Sequence, residues 1–357
     1  MRSSRGRKST IYDIAVAAAS SPAAVSLVLN DSWRRYRIKE ATAARILECA
    51  ERLGYAVNLK ARGLRLSRSG LAGMILPHYR NRFFAGLAEA FQAETRRRGI
   101  CPIVVSTHRN PGHEVSVTES LLAQQIEFLF IAGVRCPDPL NELCRAASVK
   151  SVNVDLPGPR APSVVSDNRG GARALTEVVI DKLKRRGGDL GDMFFFGGVA
   201  EDDATLNRLL GYKEALAAHG VVPDSDAVDC CGYPPTLAAR SLAARYTKLG
   251  RLPSGLFVNG ITALEGALRF TSTLGGHELH STVVGSFDWD PFAAHLPFDL
   301  TMVRQDVEGM ITQAFTLLDS YAPDHNPLLV VPTSIGRMGE RDGAQEDWNP
   351  PVEPLRR

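Results

Sequence analysis

Several short apolar runs in the sequence are followed by polar or aromatic side chains that could hold a small ligand. These side chains are His78, Asn81, Phe84, Asp155, Asp167, Asn259 and Asp288. Carboxylates and amides can hydrogen-bond vicinal hydroxyl groups, and aromatic rings supply the apolar lining of most ligand sites. Arg208, in NRLLGY, is expected to open onto the same cleft. Each residue alone is more often a surface or capping residue, so the prediction of a sugar or polyol site depends on their joint placement.

The apolar runs alternate with helical patterns from residue 71 onward. The first series is LAGMIL, PIVVST, FLFIA, SVNVD and SVVSD, and the second is MFFFGG, AVDCCG, SGLFVN and STVVGSF. Strands separated by helices at this spacing predict an α/β fold with parallel sheets and helices on both faces. Two series predict two lobes, and ligands in such folds bind where the carboxyl ends of the strands meet.

The opening stretch TIYDIAVAAASSPAAVSLVLN has the signals of two short helices joined by a turn. Thr10 and Asp13 have the spacing of a capping box. Ser21 and Pro22 suit the N-cap and the first position of a second helix. A third amphipathic pattern, RILECAERL, stops at a glycine. Three short helices with a tight turn between the first two predict a small all-α helix-turn-helix head that binds DNA.

The charge of the chain is distributed unevenly. Residues 1–70 hold 14 Lys or Arg against 5 Asp or Glu, whereas the remainder holds 28 against 34. A basic module on a mildly acidic body favours contact between the first 70 residues and a polyanion such as DNA. A solvated basic tail has the same composition, and charge alone does not separate the two interpretations.

A basic leader followed by an apolar run is also typical of a cleaved export signal. The chain would then be a secreted sugar-binding protein of an importer, which has the same two-lobed body. Asp13, Pro22 and Asn30 interrupt or bound the apolar run, and an export signal gives no reason for a third helix and a basic segment after it. The sequence therefore favours a head that is retained.

Other classes of protein lack support in the sequence. No glycine-rich dinucleotide motif, nucleophile elbow, P-loop or metal-spaced histidine pair is present, so we expect no enzyme activity, cofactor or metal. No run approaches the roughly 18 apolar residues that span a bilayer. The six cysteines form no C-x-x-C pair, and we expect buried, reduced thiols.

Three stretches together resemble the lactose-repressor (LacI/GalR) family of bacterial transcriptional regulators. They are TIYDIAVAAASSPAAVSLVLN, RILECAERLGYAVNLKARGLR and LAGMILPHYRNRFFAGL, and the resemblance extends to about residue 336. It implies a helix-turn-helix head (1–57), a hinge (58–70) and a two-lobed body (71–336) like a type I periplasmic-binding protein, which binds an effector and dimerises. The tail, 337–357, is polar and Pro-rich, lacks leucine heptads and is expected to be disordered, so we expect a homodimer.

The resemblance also places the DNA contacts. They are Thr10, Tyr12, Ser21, Pro22, Ala23, Ser26, Leu27, Asn30, Arg34, Arg35, Tyr55, Asn58, Ala61 and Leu64. The positions that touch base edges carry Pro22, Ala23 and Leu27, none of which can make a bidentate hydrogen bond to a base. Direct recognition is therefore expected to use thymine methyl groups, helped by Ser26 and Asn30.

Two further regions outside the recognition helix are expected to contact DNA, the loop after it and the hinge. Arg34 and Arg35 lie in a basic loop. The loop either contacts DNA phosphates or a groove, or is simply solvated. In the hinge, Ala61 would face the minor groove and Leu64 would act as a wedge between base pairs. Gly63 disfavours a hinge helix by about 1 kcal/mol relative to alanine, and an ordinary flexible linker is the alternative.

For the effector, the resemblance implies contacts from both lobes. These are Phe84, Asp155, Asp167, Arg208, Asn259, Asp288 and Gln305. The sequence departs from the family at Gly260, where an aspartate is expected. We expect a cytoplasmic, nucleoid-associated regulator, most often a repressor of carbohydrate genes, that binds a near-palindromic operator as a homodimer. A sugar-like effector would close the lobes and change operator affinity.

Overall fold

The computed structural model describes residues 9–30, 32–55, 69–275, 278–322 and 325–336. The chain divides into two compact units, Met1–Gly70 and Leu71–Arg357. We call the described part of the first unit the head and that of the second the body. The predictions for Asn58, Ala61 and Leu64, for hinge residues 58–68 and for the tail lie outside the described residues.

The head contains three helices, as the sequence predicts. They are α1 (Ile11–Ala17), α2 (Pro22–Leu29) and α3 (Glu40–Arg52). Thr10 and Asp13 form the expected capping box, and the Ser21 hydroxyl accepts a hydrogen bond from Ala24 N at 3.1 Å. The three helices bury a shared core that includes Ile14, Val25, Val28, Ile46 and Ala50. Because one face of each helix is used for this core, the opposite faces of α1 and α2 remain at the surface.

Among the described residues, no single helix is long and apolar enough to cross a membrane. Helices α1 and α2 pass that test only when taken together, and the chain bends by 107° between them.

The body alternates strands and helices through most of its length. Its strands are β1 (Leu71–Leu76), β2 (Cys101–Ser106), β3 (Phe128–Ala132), β4 (Lys150–Val154), β5 (Ser163–Ser166), β6 (Met193–Phe196), β7 (Val228–Asp229), β8 (Gly255–Val258), β9 (Val283–Phe287), β10 (Leu300–Gln305), β11 (Leu328–Val331) and β12 (Thr333–Gly336). Its α-helices are α4 (Arg82–Arg97), α5 (Pro111–Ala123), α6 (Asp138–Ala146), α7 (Asn168–Arg185), α8 (Asp203–Ala218), α9 (Pro235–Leu249), α10 (Ile261–Thr271) and α11 (Val307–Asp319).

The strands form two six-stranded sheets, one in each lobe. The first lobe has the order β11-β5-β4-β3-β1-β2 and is parallel throughout. The second has the order β12-β10-β9-β8-β6-β7, in which β12 runs antiparallel to β10. The prediction of parallel sheets in two lobes is therefore confirmed, except at this one edge strand.

The sequence predicts one consecutive series of strands for each lobe, but the chain crosses between the lobes more than once. The chain passes from the first sheet to the second after β5, returns after β10, and passes again between β11 and β12. Helix α11 packs in the core of the first lobe through Met310, Ile311 and Phe315. The two lobes are therefore joined by three crossing segments of the chain.

Buried apolar clusters cover both faces of the sheets. The expectation of buried cysteines is wrong for Cys101 and Cys136, which are exposed. Cys49 and Cys144 are buried, Cys230 and Cys231 are half-buried, and all six thiols are free. Cys101 begins the edge strand β2, where no further strand covers it.

Candidate functional site

Two carboxylates lie directly after strands at the carboxyl edges of the two sheets. Asp155 follows β4 and has φ 76°, and Asp288 follows β9 and has φ 65°. Left-handed backbone at a residue other than glycine is disfavoured and is typical of functional sites. Burial raises the pKa of Asp155 to about 6, although Arg208 and Arg109 oppose that shift. The site therefore contains a carboxyl group whose charged form is poorly solvated.

Asp288 connects the two lobes. Its carboxylate accepts hydrogen bonds from Gln305 Nε2 at 2.7 Å and from the backbone N–H of Ile261 at 3.2 Å, both in the second lobe. Its third contact is Asn81 Nδ2 of the first lobe, at 3.5 Å. Asn81 also caps α4 through its side-chain oxygen. Three predicted site residues, Asn81 from the first lobe and Asp288 and Gln305 from the second, are thus brought together.

Arg208 is held rigidly on α8 with only 6% of its surface exposed. Its Nε donates to Asn168 Oδ1 at 2.8 Å, its Nη1 donates to the backbone oxygen of Asn259, and its guanidinium carbon lies 4.0 Å from the centre of the Phe287 ring. Asn259 Nδ2 in turn donates to Thr205 Oγ1 at 3.1 Å. The planar guanidinium is therefore fixed by hydrogen bonds on its edge and an aromatic face beneath it.

Three buried polar atoms in this region have no partner among the described residues. They are Asn168 Nδ2, Asn259 Oδ1 and Gln305 Oε1. Buried donors and acceptors are nearly always hydrogen-bonded, so each exception needs an explanation. One donor and two acceptors, on residues that bond Arg208 and Asp288, are suited to ligand hydroxyl groups, which can both donate and accept.

A second connection between the lobes centres on Asp202, which the sequence analysis missed. Asp202 accepts from Arg135 Nε at 2.5 Å and from the Tyr233 hydroxyl at 2.7 Å. Arg109 lies over the Tyr233 ring at 4.2 Å and donates to Gly133 O at 3.0 Å. Arg135 and Arg109 follow strands β3 and β2, whereas Asp202 and Tyr233 follow β6 and β7. Reading the residues that follow strands would have found these four side chains, but not which of them pair across the lobes.

Other predicted residues lie apart from these hydrogen bonds. Asp167 caps α7 by accepting from Gly170 N at 2.8 Å. His78 Nδ1 lies 3.1 Å from His108 Nδ1, and the pKa of His78 is lowered by burial and by the neighbouring His108, Arg109 and Arg80. Phe84 is buried with its ring 5.9 Å from the Arg109 guanidinium, so it can line the site.

In the head, the residues predicted to contact DNA differ in solvent exposure. Tyr12, Ser21, Ala23, Arg34 and Arg35 are exposed, and the remaining described positions, Thr10, Pro22, Ser26, Leu27, Asn30 and Tyr55, are half-buried.

Several of these side chains have partners within the head. Thr10 is engaged in the capping box, Asn30 Nδ2 donates to Ser26 O, and Tyr55 packs against the head core. Arg34 lies over the Trp33 ring at 4.9 Å. One of the two amide N–H groups of Asn30 is therefore already occupied.

Residues 10–58 match the family model described as bacterial regulatory proteins of the lacI family. The chain is also 42% identical over 192 residues to the ribitol operon repressor of Klebsiella aerogenes, a match that covers 54% of this chain and 71% of the relative. The chain belongs to the LacI family. The sucrose operon repressor of Klebsiella pneumoniae is 28% identical over 89% of this chain and 95% of its own.

The fold of the whole LacI-family chain also has solved counterparts. The lac repressor dimer bound to operator and an anti-inducer has a TM-score of 0.75 with 20% identity, covering 93% of this chain and 98% of that chain. The CelR–cellobiose complex has a TM-score of 0.65 with 19% identity, covering 92% and 99%.

Family membership settles the functional class. LacI-family members are DNA-binding transcriptional regulators, so the prediction of a regulator and not an enzyme is confirmed. The match over residues 10–58 includes the apolar run of the opening stretch, which favours a retained head over an export signal.

Proposed function

We propose that this LacI-family regulator is a repressor whose operator affinity is controlled by a small polyol bound between the two lobes. The observation that carries the proposal is a set of three buried atoms without a partner among the described residues. Asn168 Nδ2 and Asn259 Oδ1 belong to residues that bond Arg208, and Gln305 Oε1 belongs to the residue that bonds Asp288. A ligand with several adjacent hydroxyl groups would satisfy them.

The effector contacts we propose come from both lobes. Asp288, Asn259, Arg208 and Gln305 would contact hydroxyl groups directly, and Gln305 also orients Asp288 through its Nε2 hydrogen bond. Asp155 would accept hydrogen bonds from hydroxyl groups, since its carboxylate is buried and its charged form lacks solvent. His78, Asn81, Phe84 and Asp167 complete the predicted set, with Asp167 serving first as the cap of α7.

A five-carbon polyol is the first compound to test. The relative at 42% identity is named a ribitol operon repressor. An acyclic polyol presents no ring face and no phosphate, and the site's carboxylates at Asp155 and Asp288 favour neutral hydroxyl groups over an anion. Sucrose, cellobiose and fructose 1-phosphate, which the names of other relatives suggest, are the natural comparison compounds.

On the DNA side, we propose that the head (1–57) binds one half of a near-palindromic operator and that the chain acts as a homodimer through its body (71–336). The hinge (58–70) would contact the minor groove, with Arg34 and Arg35 adding phosphate contacts. Such a regulator works in the cytoplasm, on the nucleoid. Effector binding would change the arrangement of the lobes and lower operator affinity.

Thermal melting of the full chain tests the effector. A bound ligand raises stability by mass action, by about 2.7 kcal/mol at 100 times its Kd. We expect ribitol or a related pentitol to raise the melting temperature in a saturable way. If no polyol or free sugar shifts the melt and only a purine or a phosphorylated compound does, the proposal of a neutral polyol effector is wrong.

A further inference from the structure

Four side chains join the two lobes on the side of the body away from the segments where the chain crosses between lobes. The crossings come after β5, β10 and β11, which lie at one end of the two sheets. The four side chains follow β2, β3, β6 and β7, which lie in the opposite half of the same sheets. They are Arg109 and Arg135 of the first lobe and Asp202 and Tyr233 of the second. We call these four side chains the clamp.

The clamp stands across the mouth of the cleft between the lobes. Two lobes that are joined at one side separate most at the other side when they move apart. Asp155 and Asp288 follow β4 and β9, each the third strand from the crossing end of its sheet. They lie between the crossing segments and the clamp, so a ligand that contacts them has the crossings behind it and the clamp in front of it.

Two contacts of the clamp pass from one lobe to the other. Arg135 Nε donates to Asp202 at 2.5 Å, and the Arg109 guanidinium lies over the Tyr233 ring at 4.2 Å. Within the second lobe, the Tyr233 hydroxyl also donates to Asp202 at 2.7 Å, which ties the two contacts together. The Asp202 side chain is only 2% exposed, so losing Arg135 would leave a buried carboxylate with one donor fewer. All of these contacts use protein groups, so they do not depend on a ligand.

We infer that the clamp is a gate, which the effector must open in order to enter or leave the cleft. The inference rests on the proposal that an effector binds between the lobes. A contact that holds the mouth shut slows both entry and release, because a ligand passes the mouth only in molecules whose clamp is broken. A side chain that only contacts the ligand slows release alone. The association rate constant therefore separates the two roles.

The test measures both rate constants with tritiated ribitol and the full chain. Association is followed by rapid filtration, and release is followed after addition of excess unlabelled ribitol. A hydrogen bond to a charged group, on a side chain as exposed as that of Arg135, is worth about fivefold in an equilibrium, so Arg135→Ala should speed release by about that factor. Association should rise by about twofold or more, and by no more than release, because molecules that are already open gain nothing.

Two variants serve as controls for the rates. Arg208→Lys alters a proposed ligand contact, so it should speed release and leave association unchanged. Arg160→Ala breaks an exposed pair within the first lobe and should change neither rate. The inference is wrong if Arg135→Ala speeds release without speeding association, or if it changes neither rate.

A second measurement of the clamp needs no effector. Denaturant unfolding of Arg135→Ala, Asp202→Ala and the double variant gives the coupling between the two side chains. We expect the double variant to lose clearly less stability than the sum of the single losses, since each single change already breaks the same contact. If neither ribitol nor any other compound binds, the proposed effector is wrong and this coupling alone decides the inference. Additive losses would then show that the clamp does not hold the lobes together.

Discussion

Asp202 in the second lobe accepts a hydrogen bond from Arg135 Nε of the first lobe at 2.5 Å, with its carboxylate almost wholly buried. Together with the contact between Asn81 and Asp288, it gives the lobes two polar connections among or beside the proposed effector residues. A ligand that contacts both lobes must act on the same relative arrangement that these connections hold. That is the physical requirement for coupling effector binding to a change in shape.

Arg135→Ala should weaken this connection. A hydrogen bond to a charged group is worth about 1.5–3 kcal/mol, and because the Arg135 side chain is 46% exposed we expect a loss of about 1 kcal/mol in the free energy of unfolding. Effector affinity should fall as well, since fewer molecules would hold the lobes together. Denaturant unfolding and a melting titration measure the two effects.

Arg160→Ala is the control for Arg135→Ala. Arg160 lies 3.6 Å from Glu142 in an exposed pair within the first lobe. Its removal should change stability by less than about 0.5 kcal/mol and leave effector affinity unaltered. Equal effects of the two substitutions on effector affinity would argue against a role for the contact with Asp202.

Arg208→Lys should abolish most effector binding while the body stays folded. A lysine keeps the charge but cannot bridge Asn168 and the Asn259 carbonyl in the plane above Phe287. We expect the Kd of the effector, obtained from melting titrations, to rise at least about tenfold. Arg169→Lys, at an exposed pair with Glu214, provides the comparison and should bind normally. An unimpaired Arg208→Lys protein would remove Arg208 from the site.

Asp155 predicts a pH dependence with a definite sign. Because the pKa of Asp155 is raised to about 6 in the folded chain, folding favours its protonated form relative to the unfolded chain. Its contribution to stability is complete below the unfolded value near 4 and is lost as pH rises through about 6. Asp155→Asn should therefore melt at a higher temperature than the unaltered chain at pH 7.5, and the difference should shrink towards pH 4.5.

Melting curves at both pH values, without effector, measure this difference. Asp224→Asn, at an exposed aspartate, is the control for the loss of one carboxylate. A difference between the Asp155→Asn protein and the unaltered chain that does not change with pH would contradict the raised pKa.

Gly260→Ala tests the space beside Asp288. A Cβ on Gly260 would lie 2.9 Å from Asp288 Oδ2 and 3.9 Å from Arg208 Nη1. The backbone there is extended at φ 174°, so alanine brings no backbone strain and the effect is confined to the carboxylate. We expect weaker effector binding with a melting temperature within a few degrees of the unaltered chain. Normal effector affinity would show that Asp288 can move away at little cost.

Much of the head could be predicted from the sequence because its signals are local. Thr10 with Asp13 and Ser21 with Pro22 fix the starts of two helices through backbone hydrogen bonds within one turn. The exposure of Val16 was not predicted. A helix pattern gives the buried face, but which apolar residue remains outside depends on how α1, α2 and α3 pack.

In the body, the positions after strands located Asp155, Asn259 and Asp288, since strand ends are visible in the sequence. The partners were not visible. Asp202 and Arg135 are 67 residues apart in the chain, and they meet only because the two lobes face each other. The elements after residue 300 were also missed, because β11 and β12 are short and return to different sheets. Long-range connections of this kind leave no periodic pattern.

The most direct test of the account uses duplex DNA that the full chain selects from a random pool. The affinity of the chain for that duplex is measured by fluorescence anisotropy at fixed salt, with and without saturating ribitol. We predict that ribitol lowers this affinity at least about tenfold, within the usual range of coupling between two sites, and that Arg208→Lys removes the effect. Selective duplex binding that is unchanged by ribitol and by every other compound that raises the melting temperature would contradict it.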